Sequence, residues 1–113
     1  MRWTGFRLLA AGDQWFSESF DHDGPATYEL AVAGPRGGGL RIVYVGETGN
    51  EARRLATYGR DGSHLAEVIR WHLLEGWHLH YRAVAMGSKE AARDLQDRLL
   101  ARFAYDWNLA LAA

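Results

Sequence analysis

The chain has 113 residues, of which 48% are hydrophobic and 12% aromatic, so it can bury the core of one compact domain. It contains no cysteine, which excludes disulfides, thiolate zinc sites and cysteine nucleophiles. No apolar run reaches the roughly 18 residues that a membrane span needs, and the first residues do not lead into a signal-peptide core. We therefore expect a cytoplasmic domain without a membrane partner.

The net charge of −1 does not by itself favour nucleic-acid binding, but positive charge is concentrated in the middle of the chain. Residues 36–70 contain six arginines and four acidic residues, whereas residues 1–24 contain two arginines and four acidic residues. Arginine suits phosphate binding because its planar guanidinium can donate two parallel hydrogen bonds. A GC-rich gene would produce the same excess of arginine, so both explanations stay open.

In chain order, residues 1–24 are predicted to be a segment that covers the core, and residues 25–113 to form the rest of the single domain. The cover segment mixes aromatic and polar residues and ends in turn-forming residues. Two strands follow, at residues 26–33 and 40–46, and a glycine-rich loop joins them in a hairpin.

Helices are predicted after this hairpin. Thr48 and Glu51 have the spacing of a capping box, which predicts a helix from Thr48 to about Tyr58. Ser63 is expected to cap a second helix that ends at Gly76. Trp71, on this second helix, is expected to pack in the interior.

A third strand and a last helix complete the pattern. Residues 78–85 alternate as in a strand, and Ser88 is expected to cap the last helix. The core face of that helix is predicted to consist of Ala92, Leu95, Leu99 and Phe103. The prediction is therefore an α+β fold in which a three-stranded antiparallel sheet is flanked by helices, in the order β-β-α-α-β-α.

Several short motifs in this order resemble the GIY-YIG nuclease family. Tyr44-Val45-Gly46 on the second strand matches the second signature of the family, and the first signature is reduced to Tyr28 within Ala26-Thr27-Tyr28. Arg54, ten residues beyond Tyr44, stands where the family places its catalytic arginine. Asn108 matches the terminal asparagine, so the resemblance extends from Pro25 to Asn108.

The resemblance implies a DNA endonuclease that uses Mg²⁺ or Mn²⁺ and implies roles for particular residues. The catalytic candidates are Tyr28, Tyr44, Arg54, Tyr58 and Gln96. His64 is added to them because it lies near Tyr58-Gly59-Arg60, where it could contact phosphate or assist as an acid; alternatively it only lines the surface. The DNA-binding candidates are Arg53, Arg60 and Asn108.

Elementary chemistry agrees with the resemblance, because hydrolysis of a phosphodiester needs a base for the attacking water and positive charge at the phosphate. Tyr28 and Tyr44 lie on adjacent strands, so their phenols can converge near Arg54. A phenol has a reference pKa of about 10, so a tyrosine acting as a base needs help from a metal ion or an arginine. Alternatively, both tyrosines are ordinary aromatic residues of a sheet.

Gln96 stands where the family has a metal-binding glutamate, and it is the candidate metal ligand of this chain. Its carbonyl oxygen can bind an ion, but it lacks the charge that magnesium-class ions favour. Gln96 is either an introduced replacement for glutamate or a natural variant that has lost cleavage. We expect Gln96, Arg54, Tyr28 and Tyr44 to share one pocket.

Three functions remain open at this point: an endonuclease impaired by Gln96, a DNA-binding module without cleavage, and a protein-interaction domain that uses its many aromatic residues. The arginines and tyrosines favour the first two. Because so small a domain can engage unpaired bases more readily than it can wrap a duplex, single-stranded DNA is slightly favoured as the substrate.

Overall fold

A computed structural model of the chain describes residues 2–15, 23–58 and 63–112. In these residues an antiparallel sheet carries helices on both faces. The strands are β1 (Arg7–Ala11), β2 (Gln14–Trp15), β3 (Ala26–Ala33), β4 (Leu40–Thr48) and β5 (His78–Ala85). The helices are α1 (Glu51–Thr57), α2 (Ala66–Leu74), α3 (Lys89–Arg102) and α4 (Asp106–Ala112). Across the sheet the strands follow the order β2-β1-β5-β3-β4, so β4 forms an edge.

The sheet has five strands in the described residues, so the prediction of three strands was wrong in number, although the α+β class is confirmed. The extra strands come from the segment that was expected only to cover the core, because β1 pairs with β5 and β2 pairs with β1. A bulge between Leu8 and Ala10 interrupts the pairing of β1 with β5. The sequence there shows an apolar run instead of strand-like alternation, which hid the strand. Phe16 and Phe20 of the expected cover segment lie outside the described residues.

Adjacent residues of β3 point to opposite faces of the sheet, and their contacts show which helix lies on which face. The Thr27 hydroxyl donates a hydrogen bond of 2.8 Å to the backbone carbonyl of Ala92 in α3. The hydroxyl of Tyr28, by contrast, meets the hydroxyl of Tyr58, which directly follows α1. Helix α3 therefore packs on one face of the sheet, and α1 packs on the other.

The main hydrophobic core lies on the face that carries Tyr28, under α1 and α2. It brings together buried residues from the sheet and these helices: Leu9, Tyr28, Leu30, Val32, Tyr44, Leu55, Tyr58, Leu65, Ile69, Leu79 and Tyr81. Burial of this apolar surface is the main driving force for folding.

The opposite face contains a buried carboxylate, that of Glu29 on β3. The Arg82 guanidinium donates to Oε1 of Glu29 at 2.6 Å, and the Tyr105 hydroxyl donates to Oε2 at 2.6 Å. The Arg82 guanidinium also lies 4.8 Å from the ring centres of both Trp3 and Phe6. This network ties the segment before β1 and the segment between α3 and α4 to the sheet.

The helix caps differ in part from the prediction. The cap of α1 is Asn50, whose side chain accepts from the amide of Arg53, while the Thr48 hydroxyl makes a turn with Asn50 instead. Ser63 accepts from the amide of Leu65 before α2 begins, and Ser88 caps α3 as expected. Asn50 caps the helix instead of Thr48 because it directly precedes the first helical residue, where a side-chain oxygen reaches the free amides.

Helix α3 ends at Arg102, one residue before Phe103, the last residue predicted for its core face. Phe103 was expected in the core, but it adopts an extended backbone conformation after Arg102 and is 54% exposed. The prediction was wrong because the helix ends before the turn that would have directed Phe103 toward the sheet. Among the described helices, none is long and apolar enough to cross a membrane.

Helix α4 closes part of the exposed edge of β4. The amide oxygen of Asn108 accepts from the backbone N–H of Val45 at 2.8 Å, and its amide nitrogen donates to the Val45 carbonyl at 2.9 Å. Arg41 and Asp106 form an ion pair between the same two elements. An asparagine side chain thus replaces the neighbouring strand that β4 lacks at this point.

We predict that Asn108→Ala lowers the free energy of unfolding by about 2–3 kcal/mol, because it removes two hydrogen bonds from the buried Val45 backbone. Urea unfolding followed by circular dichroism measures the change. Leu109→Ala, at the next and exposed position of α4, is the matched control and should change stability little. Equal stability of the two variants would contradict the role given to Asn108.

Candidate active site

Three tyrosines meet on the face of the sheet that carries α1. Tyr28 on β3 and Tyr58 at the end of α1 join their hydroxyls in a hydrogen bond of 2.5 Å. The ring centre of Tyr28 lies 6.2 Å from that of Tyr44 on β4 and 6.2 Å from that of Tyr58. We call Tyr28, Tyr44 and Tyr58 the tyrosine cluster. The sequence expectation that Tyr28 and Tyr44 converge agrees with this geometry.

His64 connects the tyrosine cluster to the surface. The Tyr44 hydroxyl and Nε2 of His64 are 3.2 Å apart, and their rings are tilted with centres 5.9 Å apart. When His64 carries its proton on Nδ1, the Tyr44 hydroxyl donates this hydrogen bond. His64 itself is exposed, whereas Tyr44 is buried. A proton on Tyr44 therefore has a direct path to a group in contact with solvent.

Gly46 makes room for the tyrosine cluster. It faces Tyr28 across the β3–β4 pair, and a Cβ at this position would overlap the Tyr28 hydroxyl and its ring carbon Cζ. The glycine of Tyr44-Val45-Gly46 is therefore needed for space rather than for an unusual backbone conformation. Any side chain here would displace the Tyr28 ring.

Burial is the main influence on the acidity of these phenols. It raises the pKa of Tyr28 well above the ordinary value, and it raises the pKa of Tyr58 and Tyr44 as well. The positive charge of Arg54 acts in the opposite direction on all three. All three tyrosines therefore stay protonated at neutral pH.

The arginine candidates differ in position. Arg54 is half-buried on α1, and its charge acts on each member of the tyrosine cluster. Arg53 is exposed on the same helix. Arg60 lies outside the described residues. Arg54 thus combines nearness to the phenols with access to the surface, as a phosphate-binding residue requires.

Gln96 is not joined to the tyrosine cluster by its contacts. It lies half-buried on α3, on the sheet face opposite to Tyr28, and its amide donates to Asp97 at 3.5 Å. Helix α3 packs against β4, the strand that carries Tyr44, so the two side chains start from neighbouring elements. Among the described residues no hydrogen bond links Gln96 to Tyr28, Tyr44 or Arg54, so these contacts do not support a shared pocket.

Asn108, expected to bind DNA, uses its amide group on the backbone of Val45. Both ends of the amide are engaged in this pair of bonds. Its contacts therefore support a structural role at the sheet edge instead of a DNA contact.

In the part of the chain that the structure describes, the side chains do not form a metal site by themselves. Mg²⁺ and Mn²⁺ favour carboxylate oxygens, and position 96 offers a neutral amide oxygen. Within the described residues there is no group of three or more histidine, aspartate and glutamate side chains that could hold a metal ion. The residues present therefore do not fit a divalent ion that is bound tightly before substrate arrives.

Sequence reasoning did not assign two residues near the site, Glu47 and Trp71, to it. Glu47 follows Gly46, and its charge raises the pKa of Tyr44. Its Oε1 lies 3.7 Å from Arg93, while its buried Oε2 has no hydrogen-bond partner in the described part of the chain. Trp71 was expected to pack in the interior, yet it is 54% exposed beside His64. Glu47 could have been found, because it directly follows the signature Tyr44-Val45-Gly46. No feature of the sequence indicated that Trp71 lies at the surface near the site.

We predict that alkaline pH destabilises the protein through its buried phenols. In the unfolded chain a tyrosine ionises near its reference pKa of about 10, whereas Tyr28, Tyr58 and Tyr105 stay protonated to higher pH when folded. Their contribution to stability is therefore complete below pH about 10 and is lost as pH rises above it. Urea unfolding between pH 8 and 11 measures this loss, and Tyr28→Phe should reduce it. Ionisation of all folded-state tyrosines near pH 10, seen by absorbance at 295 nm, would contradict the prediction.

We predict that Gly46→Ala lowers the free energy of unfolding by about 1–3 kcal/mol, because the new methyl group overlaps Tyr28. Urea unfolding measures the change, and the tyrosine absorption spectrum reports the displaced ring. Gly49→Ala is the matched control, since a Cβ there would meet Cδ of Lys89 at an ordinary 3.8 Å. If both variants unfold alike, Gly46 is not required for packing.

A comparison with protein-family models matches residues 20–73 and 68–112 of this chain to the GIY-YIG domain, under the description GIY-YIG domain-containing protein. The matched residues include the strands and helices that carry the tyrosine cluster, Arg54, His64 and Gln96. The comparisons with curated proteins and with solved structures found no match. The family is one of nucleases that cut phosphodiester bonds in DNA and generally use divalent metal ions. The chain therefore belongs to the GIY-YIG domain family.

Proposed function

We propose that this protein is a DNA endonuclease that hydrolyses phosphodiester bonds, favours single-stranded DNA, and cleaves weakly because residue 96 is glutamine. The observation that carries the proposal is the hydrogen bond between Tyr44 and His64 beside the charge of Arg54. It provides a proton acceptor close to the charge of Arg54, a cation that can bind phosphate, and hydrolysis needs both groups.

Tyr44 and His64 act together as the base. A water molecule gives its proton to the Tyr44 oxygen while the Tyr44 proton moves to Nε2 of His64, so no free phenolate forms. The water oxygen then bonds to phosphorus, and the bond from phosphorus to the leaving sugar oxygen breaks. That oxygen takes a proton from solvent. This relay suits a phenol whose pKa is raised by burial.

Arg54 binds the phosphate that is attacked. Its guanidinium can donate two hydrogen bonds to phosphate oxygens and offset the negative charge that grows on them in the transition state. Arg53 and Arg60 contact neighbouring phosphates of the DNA backbone, which adds affinity without sequence preference. Tyr28 and Tyr58 position the Tyr44 ring and take no proton.

In this scheme Gln96 would hold a divalent ion, Mg²⁺ or Mn²⁺, only weakly. When bound it would neutralise phosphate charge and lower the pKa of a water molecule. Gln96 supplies only a neutral oxygen at the position where the family has a metal-binding glutamate. Most of the chemistry therefore falls to His64 and Arg54.

A second function is favoured by Gln96 alone: a module that binds DNA in the same cleft and does not cleave it. The two functions share the arginines and differ only in the fate of the phosphodiester. The substitution Gln96→Glu distinguishes the two functions experimentally.

We predict that Gln96→Glu raises the rate of cleavage of labelled single-stranded DNA by about tenfold or more in Mg²⁺ or Mn²⁺, because it adds a charged ligand of nearly the same shape. Chelator should abolish the gain. Adding Arg54→Ala to Gln96→Glu should lower the rate by about a hundredfold, and His64→Ala should lower it in both backgrounds.

Ala101→Glu is the matched control, since it adds the same charge at an exposed position of α3. It should leave cleavage unchanged. If Gln96→Glu folds and binds DNA but cleaves neither single-stranded nor duplex DNA with either metal, the endonuclease proposal is wrong and the binding module takes its place.

A further inference from the structure

A cavity of about 550 Å³ opens directly beside the candidate active site, between α2 and α4. Its walls include His64, Glu67, Trp71 and Trp107. His64 belongs both to this cavity and to the hydrogen bond with Tyr44. A group that occupies the cavity therefore lies next to the Tyr44–His64 pair.

The aromatic wall of this cavity is held in place by ring contacts. His72 sits among three tryptophans, with ring centres 4.9 Å from Trp71, 5.3 Å from Trp77 and 5.3 Å from Trp107. The ring of His72 is itself fixed by a hydrogen bond of 2.8 Å between Nδ1 and the Val68 carbonyl. An aromatic surface ordered before binding loses little entropy when a planar ligand stacks on it.

More than half of the surface of Trp71, on α2, is exposed to solvent. It borders a second cavity, of about 630 Å³, which Arg36 of the glycine-rich loop also lines. One exposed indole thus separates a cavity next to His64 from a cavity next to a cation. This alternation of aromatic and positive groups suits a strand whose bases stack while its phosphates pair with arginine.

The charge of the first cavity selects a base over a phosphate. Glu67 contributes a carboxylate to its wall, and this charge repels phosphate. A carboxylate accepts hydrogen bonds from the amino groups at the edges of nucleobases. A base can use Glu67 and Trp71 together only if its edge is free of a pairing partner, which is so in single-stranded DNA or for a base turned out of a duplex.

We propose that the cavity lined by His64, Glu67, Trp71 and Trp107 binds one unpaired nucleobase of single-stranded DNA, stacked on Trp71, next to the phosphodiester that is cleaved. This assignment rests on the proposed function and adds to it the residues that distinguish single-stranded from duplex substrate.

The test measures binding of a fluorescein-labelled 15-nucleotide deoxycytidine strand and of a duplex of the same length, by anisotropy at one salt concentration without metal. Trp71→Ala should weaken binding of the single strand by about tenfold and change duplex binding less than twofold. Trp71→Phe, which keeps a stacking ring, should retain most of the affinity, and Glu67→Gln should weaken binding of deoxycytidine more than that of deoxythymidine. Leu74→Ala, an exposed position on the same helix, is the control and should bind as the wild type does.

The assignment is overturned if Trp71→Ala binds the single strand as tightly as the wild type, if both substrates weaken equally, or if the wild type prefers the duplex. Cleavage of duplex DNA by the Gln96→Glu form would then leave the endonuclease proposal standing while the base-binding cavity falls. Absence of both binding and cleavage in every form would instead remove the proposed function and, with it, this cavity's role.

Discussion

The alternation of side chains along β3 divides the protein into two sides. Tyr28 points toward α1 and α2, where the tyrosine cluster lies, while Thr27 and Glu29 point toward α3 and the segment before α4. Because a strand has a strict period of two, a shift of register by one residue would exchange these roles. The buried carboxylate of Glu29, which needs both Arg82 and Tyr105, penalises such a shift and thereby keeps the phenols in place.

The candidate site is also part of the hydrophobic core. Tyr28 and Tyr58 are buried as completely as the leucines around them, and their hydroxyls satisfy each other. An unpaired buried hydroxyl would cost free energy, so the hydrogen bond lets the core accept two polar groups. Substitutions that remove either ring therefore disturb the packing of the core, and removal of one hydroxyl alone leaves its partner buried without this hydrogen bond, so both kinds of change lower stability.

Much of the fold could be predicted because its central elements follow simple periods. The strands β3, β4 and β5 and the Ser88 cap of α3 came directly from alternation and capping patterns. The missed strand β1 depends on a partner, β5, some 70 positions later in the chain, and a bulge removes its alternation. Local patterns likewise could not show that α3 would end at Arg102 and expose Phe103.

Part of the candidate site could be predicted, because residues on one strand and the next helix are related by their spacing in the sequence. Tyr44 and Arg54 were proposed from their spacing along one strand and the next helix, and His64, another catalytic candidate, lies within hydrogen-bond distance of Tyr44. The orientation of Gln96 was not predictable, because helix periodicity gives the angle of a residue about its own axis but not the sheet face on which that helix packs. The same limit hid Trp71, which only the packing of α4 beside α2 leaves at the rim of a cavity.

Burial constrains what the site can do chemically. Because burial raises the pKa of Tyr44, the phenol is neutral in the resting protein at neutral pH, and in the proposed reaction any proton that it accepts is matched by one that it releases. His64 stands at the solvent side of that exchange, and Arg54 moderates the effect of burial without reversing it. Proton transfer through a neutral tyrosine needs only a fixed distance between two side chains, which the packed core supplies. In the proposed reaction, charge compensation at the phosphate would need cations at the surface, and there the neutral Gln96 would leave Arg54 with a larger share than a carboxylate-bound metal ion would.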